Sequence, residues 1–188
     1  MKEFGEAVLT AIRSRRVVRA MAQDPVPREH LERILDAARW APSAGNRHLQ
    51  QFVVTDDPAT LRVLRMVSPG MLQHPVAAIV VCTDRERAAA YGFPPNAPGL
   101  LVDVGTAAAT ILLAAHAVGV GAGPVTSFSR AAAAVVLQLP HGWRAEMIIC
   151  LGYPASDGPA PMASGRRKLT WRDLTRWVPE SAQPSSQP

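Results

Sequence analysis

The stretch from Leu100 to Val120 constrains the fold more than any other part of the chain. It is apolar over most of its length, with polar side chains only at Asp103, Thr106, Thr110 and His116. A helix that is apolar nearly all round has to be buried on most of its faces. Those interruptions make it a poor membrane span, so Leu100 to Val118 is expected to be the central helix of a core. At 188 residues the chain is long enough for one domain with a sizeable core and too short to suggest two. Its 48% hydrophobic and 19% charged residues are ordinary for a folded globular protein.

Other elements follow from periodicity and breakers. Phe4, Val8, Ala11 and Ile12 recur at helical spacing and predict a short helix ending at Ser14, whose trailing arginines favour the negative end of its dipole. After the break at Asp24-Pro25-Val26-Pro27, a second helix is predicted from about Arg28 to Trp40, and Ala41 to Asn46 is a loop by every local signal. Gln51 to Thr55 reads as a strand, Pro58 to Val67 as an amphipathic helix and Val76 to Thr83 as a buried strand. Asp84 to Gly99 is charged and then rich in Pro and Gly, a long loop of the kind that often serves as a lid. Gly119 to Gly123 is a glycine-dense cap leading into Pro124 to Ser127. A helix from Arg130 to Leu139, a strand from Met147 to Gly152 and a last helix carrying Leu169, Trp171, Leu174 and Trp177 complete a domain over residues 1–178. Residues 179–188 are expected to be a disordered tail. There is no steady βαβ rhythm, so the fold class is α+β, a mixed sheet sandwiched between helices in three layers. Two or three strands are few for a sheet on its own, which points to help from a second chain.

Charge and chemistry narrow the function. The net charge is +5, yet the arginines are not interleaved with aromatics and no nucleic-acid motif is present, so no nucleic-acid partner is expected. The basic residues gather instead at Arg13, Arg15, Arg16 and Arg19 and at Arg166, Arg167 and Lys168, which suits one small phosphate gripped from two sides. Cys82 and Cys150 lie in apolar runs and the five histidines lack ligand spacing, so neither a disulfide framework nor a metal site is expected. The opening residues show no signal-peptide pattern, and a reducing cytoplasm without membrane attachment is the expected location. No nucleophile elbow, zinc-protease helix or paired cysteine motif occurs. A chain so equipped is either no enzyme or one that borrows its chemistry from a cofactor, with no catalytic side chain of its own.

The loop Ala41-Pro42-Ser43-Ala44-Gly45-Asn46 is small at nearly every step, so its backbone can approach a flat ligand closely. It follows Arg15-Arg16-Val17-Val18-Arg19 and runs into Phe52-Val53-Val54. Further along come Asp103-Val104-Gly105, Leu112-Leu113-Ala114-Ala115-His116, Gly119-Val120-Gly121, Leu151-Gly152-Tyr153-Pro154 and Arg166-Arg167-Lys168. In that order, from about Ile12 to Val178, the set resembles the nitroreductase family of FMN oxidoreductases.

The resemblance implies FMN at a homodimer interface. Arg15 and Arg16 would meet the phosphate or ribityl end with Arg166, Arg167 and Lys168, while Arg19 would lie by the pyrimidine edge, where a cation stabilises the reduced ring. Pro42, Ser43, Ala44, Asn46 and His48 would come from the partner to flank the ring. Pro124, Val125, Thr126 and Ser127 would line its other side, and Val17 stands where a serine commonly touches the flavin. The chain departs from the family where Asn-x-Gln-Pro-Trp is common, reading Asn46-Arg47-His48-Leu49-Gln50 instead. Thr126 replaces an acid seen in some members, and Ser127 a frequent glycine. The function implied is ping-pong hydride transfer from NAD(P)H to a nitroaromatic, quinone or similar acceptor. A second reading is oxidation of a peptide-like or cyclic dipeptide substrate with oxygen as acceptor. A third is a flavin-binding protein without turnover. Tyr91, Phe93, Gln50 and Phe128 are the candidates for substrate contact, the first two as stacking residues if the Asp84–Gly99 loop is a lid, the others if it is only a connector between strand and helix.

Overall fold

The computed structural model describes residues 2–94, 96–156 and 169–178. The chain divides into two compact units, residues 1–158 and 159–188. Arg166, Arg167, Lys168 and residues 179–188, named above, lie outside the described residues.

The first unit is built on four strands, β1 (Gln50–Thr55), β2 (Ala77–Asp84), β3 (Gly121–Val125) and β4 (Trp143–Gly152), in the order β1-β2-β4-β3. Each neighbouring pair of strands is antiparallel. The one parallel pairing among the described residues is the isolated bridge between Val17 and Ala122. The mixed character expected of the sheet thus rests on that bridge alone. An irregular order of helices and strands rules out a regular parallel sheet, but it does not specify strand direction.

Burial on both faces explains why β2 reads as a continuous apolar run. Ala77, Ile79 and Val81 point to one face, where α2 (Arg28–Ala38) brings Leu31 and Ile34 and α5 (Pro98–Ala117) brings Val104, Ala107, Ala108 and Ile111. Ala78, Val80 and Cys82 point to the other, against Leu61 and Leu64 of α3 (Pro58–Met66) and Ala133 of α6 (Arg130–Val136). This is the expected three-layer arrangement.

Three expectations change. Gly121–Val125 is a strand, not a cap, because its glycines and proline carry none of the β-branched signal by which strands are recognised. The stretch after β2 is partly helical: α4 (Arg85–Ala90) starts at Asp84, whose side chain accepts the Arg87 N–H at 2.9 Å. In the second unit, the predicted last helix is a 3₁₀ turn, Trp171–Leu174, closed by a capping box between Thr170 and Asp173.

The helix α1 (Lys2–Ser14) and the outer face of α5 stay open. Val8, Leu9 and Ile12 are 59%, 44% and 51% exposed, and Leu101 and Val102 are 55% and 63% exposed. The core thus buries one side of the central helix, and the expected burial on most faces is not completed within one chain.

Candidate functional site

The arginine segment leaves α1 and crosses the end of the sheet. Val18 N–H donates to Ala122 O at 3.0 Å, Ala22 N–H donates to Tyr153 O at 2.8 Å, and Met21 bridges Pro154. Glycine makes this crossing possible. A Cβ at Gly121 would stand 2.9 Å from Val18 Cγ2, one at Gly123 2.8 Å from Val18 O, and one at Gly152 3.1 Å from Met21 Cβ. The spacing Gly121-x-Gly123 is therefore needed for close approach of two backbones.

Beside this crossing lies a cavity of about 320 Å³, lined by Ser14, Arg15, Arg16, His116, Gly119 and Gly121 among others. The neighbouring arginines are not equivalent. Arg16 Nη1 donates to the carbonyls of Arg13, Ser14 and Arg15 at 2.7, 3.0 and 3.0 Å, so this nitrogen closes the C-terminus of α1. Arg15 Nη1 is buried and has no hydrogen-bond partner. An orphaned guanidinium nitrogen beside a small, glycine-walled cavity is what a phosphate would satisfy. Ser14 Oγ and His116 Nε2, 3.1 Å apart, add two polar groups on the same wall. Arg19 follows on the crossing segment, exposed, and Val17 is partly exposed beside Ala122.

The loop after α2 is held by α5. Asp103 Oδ1 accepts the Ala44 N–H at 2.9 Å, and Thr106 Oγ1 donates to Pro42 O at 2.9 Å. Ser43 Oγ accepts the His48 N–H at 3.1 Å. Gly45, Asn46 and His48 have φ of 57°, 54° and 49°. Two non-glycine residues in the left-handed region within three positions is costly backbone, and such cost concentrates at functional sites. The anchors Asp103 and Thr106 sit toward the start of α5, whereas the arginine cavity sits at Leu112 and His116. From Asp103 to His116 the helix rises about 20 Å.

At the far end of β3, Pro124 is half-buried, Val125 is in the core, and Thr126 and Ser127 are exposed. Ser127 O accepts the Gly70 N–H at 2.9 Å. The structure brings Arg15, Arg16 and Val17 together with β3, and holds the Pro42–His48 loop separately on α5. The expected substrate residues scatter. Phe128 is 8% exposed and packs in the α3/α6 core, and Phe93 packs on Leu49, Ala88 and Leu100. Tyr91 is 43% exposed, with the Arg47 guanidinium 4.2 Å over its ring. Hydrogen bonding from Arg87 and then Arg47 holds the Tyr91 phenol below its usual range. Gln50 is 4% exposed and its Oε1 lacks a partner.

Sequence reading missed Gln73. It is 3% exposed, its Oε1 has no partner, and its amide lies under Gly123, where a Cβ would stand 2.5 Å from Nε2. A glutamine between a Gly70 turn and a buried strand was the available signal, since a buried amide without a backbone task asks for a partner.

The family and the fold are identified by comparison with known proteins. The nitroreductase family model matches residues 12–102 and 68–153. An NADH dehydrogenase of Thermus thermophilus is 30% identical, over 87% of this chain and 95% of its own. An FMN-dependent nitroreductase from Clostridium difficile superposes with a TM-score of 0.69 at 26% identity, covering 83% of this chain and 92% of that one. A nitroreductase family protein from Clostridium difficile 630 has the same fold, with a TM-score of 0.76 at 22% identity over 90% and 97% of the two chains. The chain belongs to the nitroreductase family of oxidoreductases.

Proposed function

We propose that the chain is a homodimeric FMN-dependent oxidoreductase that takes reducing equivalents from NAD(P)H and delivers them to a small acceptor such as a nitroaromatic or quinone. The observation that carries this reading is the buried, partnerless Arg15 Nη1 beside a cavity of about 320 Å³ whose walls include Gly119 and Gly121. The family match and the FMN-dependent relative support the same cofactor.

In this reading Arg15 holds the phosphate directly. Arg16 shapes the cavity by closing α1. Arg19 lies by the pyrimidine edge and favours negative charge there. Pro124, Val125, Thr126 and Ser127 border one side of the ring, and Gln73 offers its free amide oxygen near that strand. Pro42, Ser43, Ala44, Asn46 and His48 come from the second copy, for which the separate anchoring of that loop on α5 is the support. FMN, when bound, supplies the hydride chemistry at its ring. The chain supplies position and electrostatics, and no side chain has to act as general base. The open apolar faces of α1 and α5 are the surfaces a second copy would cover.

Two measurements test the reading together. Flavin released by heat is expected to have the mass of FMN. The bound flavin is expected to bleach anaerobically with NADH or NADPH. Release of FAD, or a flavin that neither nucleotide reduces, overturns it.

A further inference from the structure

A second, larger cleft lies away from the arginine cavity and shares no lining residue with it. It holds about 570 Å³ between the Gln23–Val26 segment, one side of α3 from Pro58 to Arg65 and the residues entering β2. That volume is in the range of pockets that enclose a ring-bearing small molecule. Its floor is apolar: Val26, Leu61 and Pro75 are buried and Val76 is half-buried. Its rim is cationic. Arg62 and Arg65, three residues apart on α3, share one face of the helix, and both line the cleft together with His74. Neither arginine forms an ion pair among the described residues. The one acid in the lining is Asp56, while the neighbouring Asp57 is committed to capping α3 through Thr60 N–H at 2.7 Å.

The cleft is also preformed. Pro25, Pro58 and Pro75 fix the backbone on three of its sides. Gln23 Nε2 donates to His74 O at 3.2 Å, tying two walls together. A rigid apolar floor needs little ordering to bind a flat body, and two guanidinium forks beside it match a carboxylate or phosphate.

We propose that this cleft is a second ligand site, separate from the flavin site, for a planar organic anion: a ring seated on Val26, Leu61 and Pro75 with its carboxylate or phosphate between Arg62 and Arg65. The helix α3 itself ends at Val67, outside the cleft, and the Val67 carbonyl accepts the Ser129 N–H at 2.8 Å. The helix that carries both arginines is therefore also bonded to the segment that follows β3.

The test is calorimetric titration of the flavin-loaded protein with four probes: 1-naphthoate, 1-naphthyl phosphate, the neutral 1-naphthalenemethanol and inorganic phosphate. Both aryl anions are expected to bind, with the alcohol and inorganic phosphate each roughly tenfold or more weaker, since each lacks one half of the recognition. The double variant Arg62→Gln/Arg65→Gln is expected to weaken the aryl anions by about tenfold or more. Both arginines are exposed, so the variant keeps its fold, flavin content and rate of reduction by NADH. A Lys pair at the same positions is expected to recover part of the affinity, because charge returns without the fork. The proposal is overturned if the aryl anions do not bind, if the Gln pair binds them as the parent does, or if binding displaces FMN.

Discussion

At the residue scale, identical side chains acquire different tasks from their neighbours. Sequence alone placed Arg15 and Arg16 together on the phosphate. The structure commits one Arg16 nitrogen to three carbonyls at the end of α1 and leaves Arg15 Nη1 without a partner. The reading of the cluster as a complement to the helix end thus fits Arg16, and Arg15 is the member left available for the proposed phosphate contact. Composition could not assign them, because the assignment depends on which guanidinium turns inward. Arg15→Ala is expected to weaken FMN binding by roughly 1.5–3 kcal/mol, read as flavin retained after dialysis, with little change in thermal stability of the apoprotein. Arg16→Ala is expected to do the reverse, costing about 0.5–1 kcal/mol of stability and less of affinity. Equal effects of the two on retention would remove the distinction. The cysteines were read as core residues, and burial pushes the thiols of Cys82 and Cys150 up to about 12. At pH 8 both are protonated as well as buried, so the native protein is expected to take up no iodoacetamide over a time in which the unfolded chain is fully alkylated.

At the element scale, what was legible was what carries a period. α2, α3, α5 and β2 announce themselves by apolar spacing, and their observed ends lie within two residues of the expected ones. β3 was illegible because its residues were chosen for clearance, with Gly121 and Gly123 making room for Val18. α4 was hidden by the Pro and Gly that follow it, although Asp84 and the alanine run were present as signals. This helix is fastened at its start. Buried Glu146 accepts Arg85 Nη2 at 2.7 Å, Thr83 Oγ1 at 3.0 Å and Arg130 Nε at 3.3 Å, joining α4 and α6 to β4. Glu146→Ala leaves these donors around an emptied site and is expected to cost about 3–5 kcal/mol, read as a fall in the denaturation midpoint. A midpoint unchanged within error would mean that water replaces the carboxylate. Tyr91 fastens the segment's other end, because Arg47 stacks on it from the loop proposed to serve the flavin. Tyr91→Ala is then expected to raise the Michaelis constant for an aromatic acceptor. It also loosens FMN by a few-fold, the size of an exposed cation–π contact of about 0.5–1 kcal/mol.

At the scale of the whole molecule, the apolar central helix was the clearest statement in the sequence, and one chain answers only half of it. α5 buries Val104, Ala107, Ala108 and Ile111, yet leaves Leu101 and Val102 open, while α1 leaves Val8, Leu9 and Ile12 open. No local pattern could say which face would stay open, since both faces are apolar. The proposed site makes the same demand, because the Pro42–His48 loop is anchored near Asp103 and the arginine cavity lies about 20 Å along the helix at His116. If each flavin takes Arg15 from one chain and Asn46 from the other, two different lesions complement when subunits are exchanged. Arg15→Ala removes the phosphate contact. Asn46→Gly removes the amide while tolerating the φ of 54° at that position. Each homodimer is expected to be flavin-poor. In a mixed dimer one site carries both lesions and the other carries neither. Random exchange makes about half of all dimers mixed, so about a quarter of the sites should regain FMN and NAD(P)H-dependent bleaching. Sites built within one chain give no recovery at any mixing ratio, because every site then keeps one lesion. Wild-type protein mixed under the same conditions should keep its full flavin content, which separates a failed exchange from a failed complementation.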